Sequence, residues 1–470
     1  MASVDGQLGR VGTEPEGWSH ARLIPTYGSR SQREQEKRAT SCLLAVMHGV
    51  PEFGHALLHE LGAPKAPVIE TFAEVRLKDG DGKTVIPDGA IVCRRGTKTW
   101  TCLVEVKTGT QHLRDDQVTG YLNVARAEGF DGVLTISSQI TASAEESPVS
   151  VDRRKLQSAR LWHLSWWRVL TEAVVQQRYH GISDPDQEWV LRELIHYLSS
   201  EASGAFGFED MGENWVAVRK AVHDGTLRAT DEAARDVAER WEQFVQYLAL
   251  SFSQELGAAV TVQRGRNEKI GERVDSAAKA LAKSSQIRAV LRVPDAIGAL
   301  EICADLRARR TLISVSIEAP REGQLRARFS WLLRQLADAP DELLVEASFP
   351  NARVTTAATL GAIRADPKAL YYPSDPKREP RVFIVSRSHA MGHKRGRAEG
   401  SFVRETSAQA VAFYRDIVQH LKPWLAKAPK LREPEPEQPP AAQVEHAVPP
   451  AWYQSAESDQ FARTAIPDPI

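Results

Sequence analysis

The segment that most constrains the fold is residues 86–109, IPDGAIVCRRGTKTWTCLVEVKTG. Two apolar runs flank a basic turn at residues 94–98 that contains a glycine, and this pattern predicts a β-hairpin. Folding the two strands about Gly96 is expected to bring Asp88 opposite Val104. The charged residues of this segment are predicted to lie at the edge of a buried sheet.

Three ionisable residues lie on this apolar hairpin. Residues two apart in a strand project from the same face, so Glu105 and Lys107 share one face while Val104 and Val106 point into the core. Asp88, on the first strand, is expected to lie one residue from Glu105. Two carboxylates beside an ammonium are costly to bury, and hydrolysis of a phosphodiester with the help of Mg²⁺ uses such a group.

A helix is predicted directly after the hairpin. Asp115 or Asp116 is a favourable N-cap, and the pattern runs to about Gly129. Gln117 and Tyr121 lie four residues apart and therefore share a face of this helix. The N-terminus of a helix attracts anions, so both side chains are expected to reach a phosphate or a metal-bound water held by the hairpin.

These residues resemble the PD-(D/E)xK nuclease superfamily, and the helix motif is similar to the QxxxY extension in exonuclease domains of bacterial recombination helicases. The resemblance is carried by Pro87-Asp88, Glu105-Val106-Lys107 and the pair Gln117 and Tyr121. It covers roughly residues 30–175. It implies a restriction-endonuclease-like αβββαβ core with the metal ligands on the central hairpin.

The resemblance also implies roles for single residues. Asp88 and Glu105 would hold Mg²⁺, with Mn²⁺ as an alternative, and the carbonyl of Val106 would be a further ligand. Lys107 would be the catalytic lysine, and Gln117 and Tyr121 would be further catalytic residues. The family often carries one more acid on its first helix.

A first helix is predicted over residues 31–50, with an apolar stripe made by Leu43, Leu44, Met47 and Val50. Glu36 falls along this stripe, whereas Glu34 points away from it. Glu36 is therefore the predicted helix acid and Glu34 the fallback. A solvated, charged first turn is the alternative interpretation.

The remaining core elements follow from short apolar runs. Residues 67–78 and 132–138 are predicted strands, and a strand followed by a helix starting near Ser165 comes next. The three tryptophans of this last segment, Trp162, Trp166 and Trp167, are interpreted as core residues rather than as a platform that stacks on bases.

The chain of 470 residues is long enough for several domains. The predicted fold class is α/β, with a flexible N-terminus (1–28), a nuclease-like domain (29–180), a helical segment (185–285), an α+β domain of unknown role (286–428) and a disordered tail rich in Pro and Glu (429–470). The composition of this tail provides too little apolar surface for a core.

Composition limits the partners. The formal net charge is −1, so nucleic-acid contacts must come from local basic patches. Candidates in the second half are three arginines near one helix (Arg326, Arg328 and Arg334) and the loop 386–400, and an ordinary solvated surface is the alternative. Four scattered cysteines indicate a reducing cytoplasm rather than a disulfide framework. No segment has the apolar length of a membrane span.

Three functional hypotheses follow. The first is an Mg²⁺-dependent nuclease that hydrolyses DNA, single- or double-stranded, in repair or in defence of a bacterial cell against foreign DNA. The second is a catalytically silent nuclease-like protein that only binds nucleic acid. The third is a regulatory scaffold in which the charged triad is an ion-pair cluster. A protein partner bound through the C-terminal half or tail, and oligomerisation, remain open.

Overall fold

Two large β-sheets, each packed against helices, organise the described part of the chain in this computed structural model, and a small two-stranded sheet accompanies them. The structure describes residues 23–24, 31–65, 68–152, 154, 156, 159–205, 207–266, 268–396 and 398–425. These residues form a mixed α/β protein, as the sequence predicted. The predicted tail over 429–470 and nearly all of the predicted flexible N-terminus over 1–28 lie outside the described residues.

The helices are α1 (Gln32–Gly49), α2 (Pro51–His59), α3 (Asp115–Glu128), α4 (Trp166–Val175), α5 (Pro185–Ser199), α6 (Trp215–Asp224), α7 (Glu232–Leu256), α8 (Ile270–Ser284), α9 (Leu325–Gln335), α10 (Leu360–Ala365) and α11 (Phe402–Asp416). Within the described ranges, no helix combines the length and the apolar character needed to cross a membrane.

The strands are β1 (Ile69–Ala73), β2 (Leu77–Lys78), β3 (Thr84–Val85), β4 (Gly89–Arg95), β5 (Lys98–Val106), β6 (Gly132–Ser137), β7 (Arg160–Ser165), β8 (Thr261–Val262), β9 (Gln286–Arg292), β10 (Leu300–Asp305), β11 (Arg310–Glu318), β12 (Leu344–Ser348), β13 (Thr356–Thr359) and β14 (Val382–Ala390).

The first sheet has the strand order β1-β4-β5-β6-β7. Its first three strands pair antiparallel, whereas β5, β6 and β7 pair parallel. Helix α3 supplies the crossover between β5 and β6, as a parallel connection requires. Every residue of β6 is buried, as expected for a strand covered on both faces. The predicted strand over 67–78 is shorter, because it ends at Ala73 and a separate strand follows at Leu77.

The first helix begins where the sequence predicted. The hydroxyl of Ser31 caps α1 by accepting a hydrogen bond from the N–H of Glu34, and the four residues of its apolar stripe are buried. Helix α4 follows β7 directly, with Ser165 as its N-cap. Trp162 and Trp166 are buried in the core of this first sheet, which confirms the interpretation of both as core residues.

The second sheet has the strand order β13-β12-β14-β11-β10-β9-β8, and its strands pair antiparallel throughout. The segment 185–285 is divided between the two cores. Helix α5 packs with the first sheet, while α6 and α7 bury aromatic residues against the second. Strand β8 also lies in this segment and joins the second sheet, so the segment is not helical throughout.

Candidate active site

The hairpin register places Asp88 beside Glu105. Gly89 pairs with Val104 and Arg95 with Lys98, so the turn consists of two residues and the predicted pairing of Asp88 with Val104 is wrong by one position. Asp88 precedes Gly89 and therefore lies next to the residue that follows Val104. Gly89 cannot be replaced easily, because a Cβ there would lie 2.7 Å from the backbone oxygen of Phe72.

Asp88 is anchored to the second strand of the hairpin. Its Oδ2 accepts a hydrogen bond of 2.8 Å from the N–H of Val106. Burial raises the pKa of Asp88, although this hydrogen bond and the nearby charge of Lys107 oppose the shift. The carbonyl oxygen of Val106 also lies at the site, since it accepts a hydrogen bond of 3.1 Å from Nζ of Lys107.

Glu105 is the centre of the cluster and is 1% exposed. Its Oε1 accepts hydrogen bonds from Nζ of Lys107 at 2.6 Å and from Nε2 of Gln117 at 2.7 Å. Its Oε2 is buried and has no hydrogen-bond partner. Burial, followed by repulsion from Asp88, raises the pKa of Glu105 to about 8. The site therefore contains a buried acid whose ion pair with Lys107 does not offset the cost of burying its charge beside Asp88.

Lys107 bridges two acids. Besides Glu105, its Nζ contacts Oε1 of Glu36 at 3.2 Å. Burial alone would lower the pKa of Lys107, but the carboxylates of Glu105 and Glu36 outweigh burial and raise it. The structure brings Glu36, rather than the fallback Glu34, to the lysine. Glu34 instead forms an ion pair with Arg38 one turn along the helix.

The helix after the hairpin presents Gln117 and Tyr121 to the cluster. It starts at Asp115, and its N-cap is Arg114, so neither predicted aspartate is the cap. Nε2 of Gln117 donates to Glu105 and, at 3.1 Å, to the hydroxyl of Tyr121. The tyrosine in turn donates to the carbonyl of Ile86 at 3.3 Å. Tyr121 thus fixes the glutamine that donates to Glu105.

Several residues that support the site were not predicted. The indole Nε1 of Trp166 donates to the carbonyl of Lys107 at 2.9 Å. Gln35 accepts from the hydroxyl of Thr108 at 3.4 Å and donates to the carbonyl of Ala202 at 3.0 Å. Only the position of Gln35 beside Glu36 hinted at such a role. The contact with the loop after α5 has no signal in the sequence, because it joins residues far apart in the chain.

The oxygen atoms of this cluster fit a small divalent cation. Asp88, Glu105 and the carbonyl of Val106 provide oxygen ligands, which hard cations prefer, and Mg²⁺ usually keeps several waters besides one or two carboxylates. The unpartnered Oε2 of Glu105 is a buried oxygen that is available to a cation. In the part of the chain that the structure describes, no group of three or more His, Cys, Asp or Glu side chains is arranged so that it could hold a metal ion.

Two of the basic residues predicted in the second half have partners within the protein. Arg328 is buried, donates to the carbonyls of Gly323 and Arg321, and forms an ion pair with Glu379. In the loop 386–400, Arg395 forms an ion pair with Asp210. Both arginines therefore have structural partners within the protein.

A comparison with protein-family models and with curated proteins finds no match for this chain.

Proposed function

We propose that this protein is a metal-dependent deoxyribonuclease that hydrolyses phosphodiester bonds and has a restriction-endonuclease-like core of the PD-(D/E)xK type. The observation that carries the proposal is the meeting of Asp88, Glu105 and Lys107 at one end of the first sheet. Glu105 keeps one oxygen without a partner there. A buried carboxylate in this state destabilises the protein unless a cation or a proton compensates it.

The proposed metal is Mg²⁺, with Mn²⁺ as an alternative. Asp88, Glu105 and the carbonyl of Val106 would hold it. When bound, the ion supplies Lewis-acid polarisation of the scissile phosphate and lowers the pKa of a nearby water. In the reaction, a water oxygen forms a new bond to phosphorus while the bond to the leaving strand breaks. The water supplies the protons that the products carry.

Lys107 is proposed to stabilise the charge that grows on the phosphate. Because neighbouring carboxylates raise its pKa, it is an ammonium ion at neutral pH. A cation held beside developing negative charge lowers the barrier, since it needs no reorganisation during the reaction. This role is better supported than that of a general base, which would need a lowered pKa. Glu36 holds the ammonium group in place.

Gln117 is proposed to orient Glu105. Its amide donates to Oε1, which leaves Oε2 as the oxygen that faces the cation. A fixed carboxylate matters because small misplacements at a reacting centre slow catalysis strongly.

The free cysteines Cys42, Cys93, Cys102 and Cys303 fit the proposed cytoplasmic location.

The direct test is cleavage by the purified full-length chain. Single-stranded DNA, double-stranded DNA and RNA are incubated with Mg²⁺, with Mn²⁺ or with a chelator. The variants are Asp88→Asn and Lys107→Met, and Asp116→Asn is the matched control, because Asp116 is 69% exposed on α3. We expect cleavage that needs the divalent ion, a loss of at least roughly 100-fold in the two site variants, and no loss in the control.

The outcomes separate the hypotheses. If no substrate is cleaved with either ion, or if both site variants cleave at the wild-type rate, the proposed function is wrong. Salt-dependent binding without any cleavage would favour the silent nucleic-acid-binding protein. RNA cleaved in preference to DNA would retain the chemistry and change the substrate.

A further inference from the structure

An exposed group of charges lies next to the acidic cluster, in the loop that follows β1. Glu74 has a left-handed backbone conformation, with φ of 52°, which is unfavourable for a residue with a side chain. Its N–H donates a hydrogen bond of 2.9 Å to the carbonyl of Asp88. The loop is therefore tied to the first carboxylate of the site, and the negative charge of Glu74 acts on Asp88.

The side chain of Glu74 is paired with one cation and lies within the electrostatic reach of two more. It forms an ion pair with Lys37, which follows Glu36 on α1. The positive charges of Arg33 and Arg76 also act on Glu74, and that of Arg33 reaches Glu36 as well. Neither of these arginines forms an ion pair with any residue that the structure describes. Three cations thus act on one carboxylate, and all of them are exposed to solvent. Arg33 and Lys37 lie one turn apart on α1 and therefore share a face of the helix.

This arrangement carries more positive charge than its own residues neutralise. An exposed ion pair such as Lys37 with Glu74 contributes only roughly 0 to 1 kcal/mol to stability, so it does not account for the unfavourable backbone of Glu74. A carboxylate and a phosphodiester both accept hydrogen bonds from lysine and arginine. A phosphate group can therefore take the place of the glutamate at little cost.

We propose that Arg33, Lys37 and Arg76 bind a backbone phosphate of the nucleic-acid strand beside the cleaved bond, and that Glu74 occupies this position until the strand displaces it. The inference rests on the proposed function, because it assumes a nucleic-acid substrate. It adds the place where the strand enters, along the first turns of α1 and the loop after β1. It also assigns Glu74 the role of an internal competitor of the substrate.

The test is equilibrium binding of a short fluorescent DNA strand to the full-length chain in EDTA, measured over a range of NaCl concentrations. Without a metal ion the strand is bound but not cleaved. Arg33→Gln, Lys37→Gln and Arg76→Gln are each expected to weaken binding roughly three- to tenfold at low salt. Each should also lower the slope of log K against log salt by roughly 0.7 to 0.9, as expected for one lost phosphate contact.

Glu74→Gln is expected to have the opposite effect on DNA binding. It removes the competing charge while keeping the size of the side chain, so binding should tighten roughly three- to tenfold at low salt. The matched controls are Arg321→Gln and Glu318→Gln. These two residues form an ion pair at the second sheet, and the side chain of Arg321 is 79% exposed and that of Glu318 77% exposed. Neither control should change binding by more than roughly twofold. Circular dichroism checks that every variant is folded.

The binding and cleavage experiments can refute the phosphate site and the proposed nuclease function independently. If the chain cleaves DNA but the variants of the three cations bind like the controls, or Glu74→Gln binds no tighter than wild type, the inference is wrong and the proposed function stands. If binding shifts as expected but no metal-dependent cleavage occurs, the phosphate site stands and the nuclease proposal falls. The absence of both binding and cleavage would overturn both.

Discussion

The N–H of Gly109 donates a hydrogen bond of 2.8 Å to the carbonyl oxygen of Gly204. This bond joins the chain just after Lys107 to the loop that follows α5. Gly204 has a φ of +65°, and a Cβ at this position would lie 2.6 Å from Oε1 of Gln35 and 3.0 Å from the nitrogen of Gly109. The loop thus approaches the site closely only because this residue has no side chain.

The first prediction is that Gly204→Ala destabilises the protein and slows cleavage. The left-handed conformation costs an alanine roughly 1 to 2 kcal/mol, and the close contact with Gln35 adds to this cost. Because the displaced loop supports Thr108 and Gly109, the cleavage rate should fall as well. Urea unfolding and initial cleavage rates measure the two effects.

Gly129→Ala is the matched control for that substitution. Gly129 also has a left-handed conformation, with φ of +75°, but no atom lies within 4 Å of the position of its Cβ. The Gly129→Ala variant should lose stability only through the cost of its left-handed backbone conformation, and its cleavage activity should be unchanged. If Gly204→Ala costs no more than Gly129→Ala and cleaves at the wild-type rate, the loop does not support the site.

The second prediction concerns pH. The pKa of Glu105 is about 8 in the folded protein because of burial, against about 4.3 in an unfolded chain. Between these values the folded state binds more protons than the unfolded state, so the free energy of unfolding should fall as pH rises from about 4 to about 8. The raised pKa values of Asp88 and Glu36 act in the same direction.

Glu105→Gln should remove much of this dependence. In EDTA at pH 8, the variant is expected to be more stable than wild type by on the order of 2 kcal/mol, because it buries no charge, while it loses cleavage. Glu322→Gln, at an exposed position, should leave the pH profile unchanged. Urea unfolding at several pH values measures the profile, and parallel curves for wild type and Glu105→Gln would contradict the prediction.

The third prediction separates the two residues of the QxxxY motif. Tyr121→Phe removes the hydroxyl that holds Gln117, so kcat should fall roughly three- to tenfold, which corresponds to about 1 kcal/mol, while KM stays unchanged. Gln117→Leu removes the hydrogen bond to the charged Glu105 and should lower kcat by roughly 10- to 100-fold. Steady-state kinetics on one DNA substrate measures both.

Tyr179→Phe is the control for the lost hydroxyl. Tyr179 likewise donates to a backbone carbonyl, that of Glu255, but it lies outside the site. Removal of the Tyr179 hydroxyl should leave kcat unchanged. If Tyr121→Phe reduces kcat as strongly as Gln117→Leu, the tyrosine acts directly on the substrate and not through the glutamine.

Local rules account for the parts of the site that the sequence predicted. Glu105 and Lys107 share a face because strands alternate, and Gln117 and Tyr121 share one because they lie a helical turn apart. The predicted pairing of the two hairpin strands was wrong by one residue. The prediction centred the turn on Gly96 alone, whereas the turn consists of Gly96 and Thr97. A shift of one residue in the turn changes every pair of facing residues in the hairpin.

The parts that the sequence did not predict depend on tertiary contacts. The contact of Gln35 with Ala202 joins residues 167 positions apart, and no local pattern encodes it. Strands β8 and β13 have two and four residues, too few for a period of two to be recognised. The division of residues 185–285 between two cores was also missed, because an apolar stripe does not specify the sheet against which it packs.

The last prediction concerns the contact between the two halves of the protein. Arg273 on α8 is buried and donates to Glu242 on α7 at 2.9 Å and to Glu146, in the loop after β6, at 3.2 Å. Arg273→Leu removes the guanidinium that the two carboxylates share, which leaves Glu242 with only a distant ion pair to Arg264 and Glu146 with only the N–H of Ala142. Unfolding should therefore become easier by roughly 3 kcal/mol. Arg273→Lys should restore little of the lost stability, because an ammonium lacks the planar fork of a guanidinium.

Arg235→Leu is the control for the buried arginine. Arg235 of α7 pairs with Asp275 of α8 at the surface, so its loss should lower the free energy of unfolding by only roughly 0 to 1 kcal/mol. Urea unfolding compares the three variants, and equal losses for Arg273→Leu and Arg235→Leu would show that the buried arginine does not hold the halves together.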